Sequence, residues 1–418
     1  MLRSLTPLVL AVAVAALAST AAGAQQAAKA TDEQRCTGQA GVTPEAQAAA
    51  CTTLIDSKRF SRQNLAILHS NRGIARGKAG DYDQAIADFD TALRINPNHV
   101  RAYVNRGSAN YARRDYDRAI ADFGQAIRLE PRVVAHAMSR ATAYEAKGDL
   151  ARAIADYDQA LKLDPNSTAA LTGRGLAWRR SGNLDRAVAD FDQVIKLNAK
   201  DTAAYNNRAA ALADKRDYER ALADYDQAIK LDPKAALPHV NRGLFWQRRG
   251  DPVRALADFD DAVRLAPDNA AAVGARGVAL GAKGEFDRAL ADLDRAIALE
   301  PNDANIYDDR GNVWRDRGRF DRAVEDYDKA IALSPDFAFA FYNRSQAHYL
   351  AGRFNEALAD AVKAASLNEN AQSLSLRGLI QEKLGARDLA LADLRRAAAL
   401  DPNLPQARDA LQRLGEMR

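Results

Sequence analysis

Asp81-Tyr-Asp-Gln-Ala-Ile-Ala-Asp-Phe, residues 81–89, decides the fold, because the chain keeps returning to it. The same register recurs at Asp115, Asp149, Asn183, Asp217, Asp251, Glu285, Arg319 and Arg353, each 34 residues after the last. A tenth copy, Asp388-Leu-Ala-Leu-Ala-Asp, arrives one residue early because the turn near Asn368 is one shorter. A constant period of this length marks a stack of like supersecondary units. Within a copy the apolar residues fall at helical spacing, as in Ala153, Ile154, Tyr157, Ala160, Leu161 and Leu163, so each copy is an amphipathic helix. Asp or Asn opens most copies as an N-cap. In the sixth, Pro252 follows Asp251 at the first helical position, where proline is welcome. Pro97, Pro131, Pro165, Pro233, Pro267, Pro301, Pro335 and Pro402 close the helices, with Ala199 and Glu369 in the proline slot of repeats four and nine.

A further helical segment precedes each copy. The two are separated in most units by glycine (Gly80, Gly148, Gly182, Gly250, Gly284, Gly318, Gly352 and Gly385), as a tight helix–helix turn requires. In one unit Tyr307, Arg310, Gly311, Trp314, Ala323, Tyr327, Ala330 and Pro335 fill eight spaced slots. That pattern resembles the tetratricopeptide repeat family, whose slots read aromatic, Leu-Gly, Tyr, Ala, Phe, Ala and Pro. The resemblance covers ten repeats over residues 66–403. It implies an all-α protein, a right-handed α-solenoid superhelix of 34-residue helix-turn-helix repeats with a concave inner face. The physical reason for stacking is that one hairpin cannot bury both of its faces.

One departure from the family pattern carries information. The leucine slot holds arginine in every copy, and the following helix holds a matched aspartate. In an antiparallel hairpin, residues equally far from the turn lie opposite one another; Arg106 and Asp122 are each about two helical turns from the Arg114-Asp115 connection. The spacing predicts ion pairs Arg106–Asp122, Arg140–Asp156, Arg208–Asp224 and Arg242–Asp258, the guanidinium fork suiting a carboxylate. The alternative, an arginine ladder gripping an acidic ligand, has the matched acid in every repeat against it.

Outside the array, residues 1–24 read as a signal peptide. Arg3 leads, Leu8 to Ala18 is unbroken apolar sequence, and Ala22-Gly23-Ala24 offers the small-x-small cleavage pattern ahead of Gln25. An uncleaved anchor is the alternative, but the apolar core is shorter than the roughly 20 residues that span a bilayer. No stable membrane insertion is expected after cleavage. Residues 25–65 read as a capping segment: Thr43-Pro44-Glu45 starts a helix, and Cys36 and Cys51, the sole cysteines, are expected to join in an oxidising compartment. Residues 404–418 read as a capping helix, Pro405 to Leu414, and a tail. The location implied is periplasmic or secreted.

A constellation for catalysis is lacking. His69, His99, His136, His239 and His348 make no ligand pair at helical spacing, so neither a metal nor a cofactor is expected. Triplets such as Asp156-Tyr157-Asp158 and Asp224-Tyr225-Asp226 lie inside helices, where residues two apart diverge. Their outer acids precede a base by four, as Asp158 does Lys162 and Asp226 does Lys230, which predicts helix-surface pairs. Gly73-Ile-Ala-Arg-Gly77-Lys78 lacks a spacer and the Ser/Thr of a phosphate loop. Trp178, Trp246 and Trp314 are expected in the core. With 59 bases against 55 acids, net +4, and no basic tract, nucleic acid is not an expected partner.

In the family, first-helix side chains that point away from the second helix line a groove for extended peptides. Carried onto this chain, the resemblance places Asn71, Asn105, Asn207, Asn241 and Asn343 there, with Tyr111, Arg179, Gln247, Arg315 and Tyr349 one turn further on. Members that clamp a chaperone's C-terminal carboxylate carry lysine four before such positions. Here Ile67, Arg101, Ala135, Ala169, Ala203, Leu237 and Ala271 occupy those slots, and no complete clamp is evident. Repeat nine stands apart: Phe337, Phe339, Phe341 and Tyr342 crowd its start, and Ala361 replaces the usual ring. That implies either repacking around the missing ring or a local docking patch. The function implied is a non-catalytic scaffold exported to the periplasm that binds a protein or peptide in its groove. The alternatives are an envelope glycan-binding or carrier module, and an accessory subunit of a separately encoded enzyme.

Overall fold

The computed structural model of the protein describes residues 31–39 and 41–416, and the expected leader over residues 1–24 lies outside them. Among the described residues the secondary structure is 23 helices and no strand. Helices α1 (Asp32–Cys36) and α2 (Pro44–Asp56) come first. Five hairpins follow: α3 (Arg62–Lys78) with α4 (Tyr82–Ile95), α5 (Val100–Ala112) with α6 (Tyr116–Leu129), α7 (Val134–Lys147) with α8 (Leu150–Leu163), α9 (Thr168–Arg180) with α10 (Leu184–Leu197), and α11 (Thr202–Asp214) with α12 (Tyr218–Leu231). Five more are α13 (Ala236–Arg248) with α14 (Pro252–Leu265), α15 (Ala270–Ala282) with α16 (Phe286–Leu299), α17 (Ala304–Asp316) with α18 (Phe320–Leu333), α19 (Ala338–Leu350) with α20 (Phe354–Leu367), and α21 (Ala371–Lys383) with α22 (Arg387–Leu400). Helix α23 (Pro405–Arg413) comes last.

Local chemistry sets the boundaries. The side chains of Asp81, Asp115, Asp149, Asn183 and Asp251 each accept the backbone N–H three residues on, at 3.0–3.3 Å, satisfying one of the orphan donors of a helix start. Glu285, Arg319 and Arg353 make no such bond. The turn inside the hairpin needs a left-handed residue. Gly148 supplies it at φ +86°, and Arg114 and Arg216 take the same conformation, at +64° and +66°, in the two repeats that lack the glycine.

One contact recurs through the core: a ring on the second helix lies flat against a glycine on the first. A Cβ on Gly73, Gly107, Gly175, Gly243 or Gly311 would come within 2.6–2.9 Å of Phe89, Phe123, Phe191, Phe259 or Tyr327. Repeat nine swaps both partners. Ser345 stands for the glycine and donates its hydroxyl to Ala357 O at 2.8 Å, Ala361 stands for the ring, and Leu376 and Ile380 complete the cluster. The expected core tryptophans are only half-buried. Each is roofed by an arginine instead: Arg186 over Trp178 and Arg254 over Trp246 at 4.6 Å, Arg317 over Trp314 at 5.9 Å. The alanine-rich face beneath is too shallow to swallow an indole, so a cation covers its outer surface.

The described residues form two compact units that part between Ala221 and Leu222, within α12. In the first unit Cys36 and Cys51 form a disulfide, Cα atoms 4.8 Å apart, packed with Leu54 and Leu68. The hairpins then stack in chain order, each second helix against the next first helix. The second unit repeats this stacking. There Ala407, Ala410 and Leu411 of α23 bury against Leu391, Leu394 and Ala397. Among the described residues no helix is long and apolar enough to cross a membrane.

Candidate functional site

The arginines of the first helices sit where three helices meet. Arg106 donates Nε to Asp122 Oδ2 at 3.0 Å and Nη2 to Oδ1 at 2.6 Å. Arg140 holds Asp156 at 2.7 and 2.6 Å, and Arg242 holds Asp258 at 2.9 and 2.7 Å, through the same edge of the fork. Arg208 and Asp224 fall in different units; Arg208 Nη1 donates to Asp192 at 2.5 Å. That last contact corrects the expectation for the outer acids. They pair with the next repeat's arginine: Asp158 with Arg174 Nη1 at 2.6 Å and Asp226 with Arg242 Nη1 at 2.5 Å. A planar guanidinium with donors on two edges can bridge both helices at once, which a lysine four residues along one helix cannot do. Burial alone would raise the Asp88 carboxyl. Hydrogen bonds from His69 and Arg72, with the charges of Arg72 and Arg76, hold it below its ordinary value. Asp258 is lowered in the same way by His239 and Arg242.

The first-helix positions expected to line a groove divide into four groups. Asn71 is buried, and Asn105 turns back to donate to Arg101 O at 2.8 Å. Tyr111 packs on Tyr116 and Tyr349 on Phe354, ring to ring across the hairpin turn, and burial raises the Tyr111 phenol. Arg179, Arg315 and Asn343 reach a neighbouring repeat: Arg179 Nε donates to Asp214 at 2.7 Å, Arg315 Nη1 to Gln346 at 3.0 Å, and Asn343 Nδ2 to both oxygens of Asp308 at 2.9 and 3.0 Å. Asn207, Asn241 and Gln247 are half-buried. Arg179, Arg315 and Asn343 therefore fasten first helices together. A long polar side chain beside an adjacent helix finds a fixed partner before it finds solvent.

Reading positions one by one missed the densest polar cluster of the second unit. Asp308, 8% exposed, lies among Asn312, Arg315, Asn343 and Gln346. Tyr327 donates to Asn312 Oδ1 at 3.0 Å, and Gln346 Nε2 donates to the Tyr342 oxygen at 3.0 Å. Burial pushes the Asp308 carboxyl up against the pull of Asn343, Asn312 and Arg315. The signal was present in the register, because Asp308 occupies the slot of Val104, Met138 and Val240, and Asn312 that of Ile74, Leu176 and Leu244.

Beside this cluster the surface turns apolar. Phe339 is 38% exposed and packs edge-on to Phe337 at 6.5 Å. It forms one wall of a shallow notch of about 20 Å³ completed by Tyr342, Ala364, Asn368, Asn370 and Gln372. Of the crowded aromatics that start repeat nine, Phe341 is buried and Phe339 alone stands clear. Other exposed apolar side chains on first helices are Ile67 in the first unit and Leu237, Leu244 and Leu350 in the second. Among the described residues no group of three or more His, Cys, Asp or Glu is arranged to hold a metal ion.

Tandem helical hairpins with a ring-on-glycine core and bridging arginines define an α-solenoid repeat protein. Tetratricopeptide repeat models match residues 71–131, 111–168, 138–196 and 243–304, and others of the same description match 202–235, 311–352 and 371–404. The chain belongs to the tetratricopeptide repeat family. No curated protein matches it. Solved structures of similar fold include the APC/C hetero-tetramer Cut9–Hcn1, 13% identical over 89% of this chain and 93% of that one, TM-score 0.54. Yeast Tom70 is 15% identical over 89% and 91%, TM-score 0.51. A monomeric mutant of IFIT1 with Gppp-AAAA is 13% identical over 84% and 94%, TM-score 0.51.

Proposed function

We propose that the protein is an exported, non-catalytic scaffold that holds a protein or peptide partner against its first helices. The observation that carries this reading is Phe339 and its notch. An exposed ring beside a shallow notch, with the amides of Asn368 and Gln372 at its rim, suits an apolar side chain laid against Phe339 by an extended segment whose backbone those amides can bond. Leu237, Leu244 and Leu350 are further exposed apolar side chains on first helices of the same unit. Cut9–Hcn1, of similar fold, was solved as an assembly of two kinds of chain, in keeping with a scaffold role. Export rests on residues 1–24 and on the Cys36–Cys51 disulfide, since such bonds persist in oxidising compartments.

The test is a peptide array probed with the mature protein and with Phe339→Ala. Retention of apolar-containing peptides, weakened by the substitution while the unfolding midpoint holds, supports the reading. An array that retains nothing, or a variant that loses only stability, refutes it. A second reading, an envelope glycan as ligand, is favoured by the amide and phenol cluster of Asn312, Tyr342, Asn343 and Gln346. A glycan array distinguishes it.

A further inference from the structure

The bridging arginines form a ladder in which Arg72 Nη1 takes the Thr52 hydroxyl and, among the described residues, Arg140 and Arg377 meet no acid of the preceding repeat. In seven repeats Nη1 of the first-helix arginine takes a carboxylate from the preceding second helix: Arg106 from Asp90, Arg174 from Asp158, Arg208 from Asp192, Arg242 from Asp226, Arg276 from Asp260, Arg310 from Asp294 and Arg344 from Asp328, at 2.5–3.1 Å. At Arg140 the corresponding residue is Gly124. Arg140 is otherwise placed as its counterparts are, with Nε and Nη2 on Asp156. Its Nη1 lies 3.5 Å from where a Cβ of residue 124 would stand, and among the described residues it has no acceptor. A second base stands one helical turn beyond the seat on the same helix. In repeats 1, 3, 4, 5 and 6 the seat acid is followed four residues on by Arg94, Lys162, Lys196, Lys230 or Arg264. Repeat 2 keeps this base as Arg128, exposed, without the acid.

In a second set of pairs, a base that loses its acid is replaced or finds another partner. This set joins Arg113 to Asp83, Lys215 to Asp185 and Arg317 to Asp287. Where the acid of that set becomes Ala151 the base becomes Ser181, and where it becomes Val253 the base, Lys283, turns to Glu285 at 2.8 Å. The last rung of the arginine ladder also lacks its acid, but Val362 fills that seat and Ser366 replaces the second base. At Gly124 both bases of the rung, Arg140 and Arg128, are kept while the acid is reduced to hydrogen. The seat is open to solvent, since the aspartates that occupy it in other repeats are 45–63% exposed.

We propose that the Gly124 seat, beside Arg140 Nη1, binds a carboxylate supplied by another molecule, an aspartate or glutamate side chain of a docking protein segment. That carboxylate replaces the missing rung, accepting from Arg140 Nη1 while Arg140 stays on Asp156. The seat lies on a second helix of the first unit and the Phe339 notch belongs to the second unit, so neither reading depends on the other.

The experiment is a calorimetric titration of the mature protein with hexaglutamate, with hexaglutamine and inorganic phosphate as separate arms. Gly124→Asp fills the seat from within, and Gly124→Asn fills it with nearly the same shape and no charge. Hexaglutamate is expected to bind the wild type and to bind Gly124→Asp roughly tenfold more weakly, with a smaller loss for Gly124→Asn. Circular dichroism checks that the variants are folded, and Gly124→Asp is expected to melt no lower than wild type. Equal hexaglutamate affinity in wild type and Gly124→Asp overturns the proposal. So does phosphate that binds more tightly than hexaglutamate, which would make the seat a site for free oxyanions.

Discussion

Removing Arg106 alone should cost far more than removing it together with its acid. Asp122 has a side chain only 5% exposed and takes three bonds from Arg106, against a single further bond of 3.2 Å from Asn110. Arg106→Ala therefore strands a carboxylate with one weak donor in a site that water barely reaches. Stranding a buried charge in this way costs about 3–5 kcal/mol. The companion contact of Arg106 Nη1 with Asp90 contributes little to that sum, because Asp90 is 56% exposed and exposed pairs are worth about 0–1 kcal/mol. In the double variant Arg106→Leu with Asp122→Leu no charge is stranded, and two apolar side chains of similar bulk fill the gap. Its loss should be about 2 kcal/mol or more smaller than that of the single variant. A stacked-repeat protein can open locally, so a whole-chain melting curve would dilute the effect. The suitable readout is hydrogen exchange of backbone amides in α5 and α6, compared among wild type, both single variants and the double. If the single and double variants lose the same protection, the carboxylate was never dependent on its partner, and the account of the ladder fails.

Glycine substitutions should split in sign with the space available. Gly243→Ala places a Cβ 2.6 Å from the fully buried ring of Phe259, so the overpacking loss of about 1–3 kcal/mol should outweigh the gain in helix propensity. Gly77→Ala meets nothing nearer than 3.9 Å and should stabilise by about 0.5–1 kcal/mol in urea titrations. Replacing Cys36 and Cys51 by serine should remove roughly 3 kcal/mol, seen as earlier proteolysis of α1 and α2 with the later hairpins intact. The carboxyls should respond to pH in opposite senses. Asp88 and Asp258 are lowered from 3.8, so their stabilisation is present above that value and is lost as pH falls through their folded values. Asp308 is raised, so its contribution is full below 3.8 and is lost as pH rises through its folded value. The stability of Asp308→Asn relative to wild type should therefore increase from about pH 3 to 7 in urea midpoints, and a falling difference would contradict the burial argument.

The sequence by itself determined the period, the helices and their ends. Each depends on short-range chemistry: apolar spacing along Ala153 to Leu163, the cap at Asp149 and the left-handed turn at Gly148 act within a few residues of one chain segment. The exchange of ring for Ala361 and glycine for Ser345 was half legible, since the missing ring shows in the repeat register but the compensating hydroxyl does not. The tertiary structure alone decided which long polar side chains reach the next hairpin, whereas the pairs of Arg106, Arg140 and Arg242 within a hairpin follow from spacing. Asp158 had Lys162 four residues away and joined Arg174 of the next hairpin, and Asn343 left the expected groove for Asp308, 35 residues earlier. A flexible side chain has several partners within reach, and which one it meets depends on how neighbouring helices pack. Helical periodicity fixes which face a residue occupies, whereas the distance from that face to the next hairpin is set only when the stack forms.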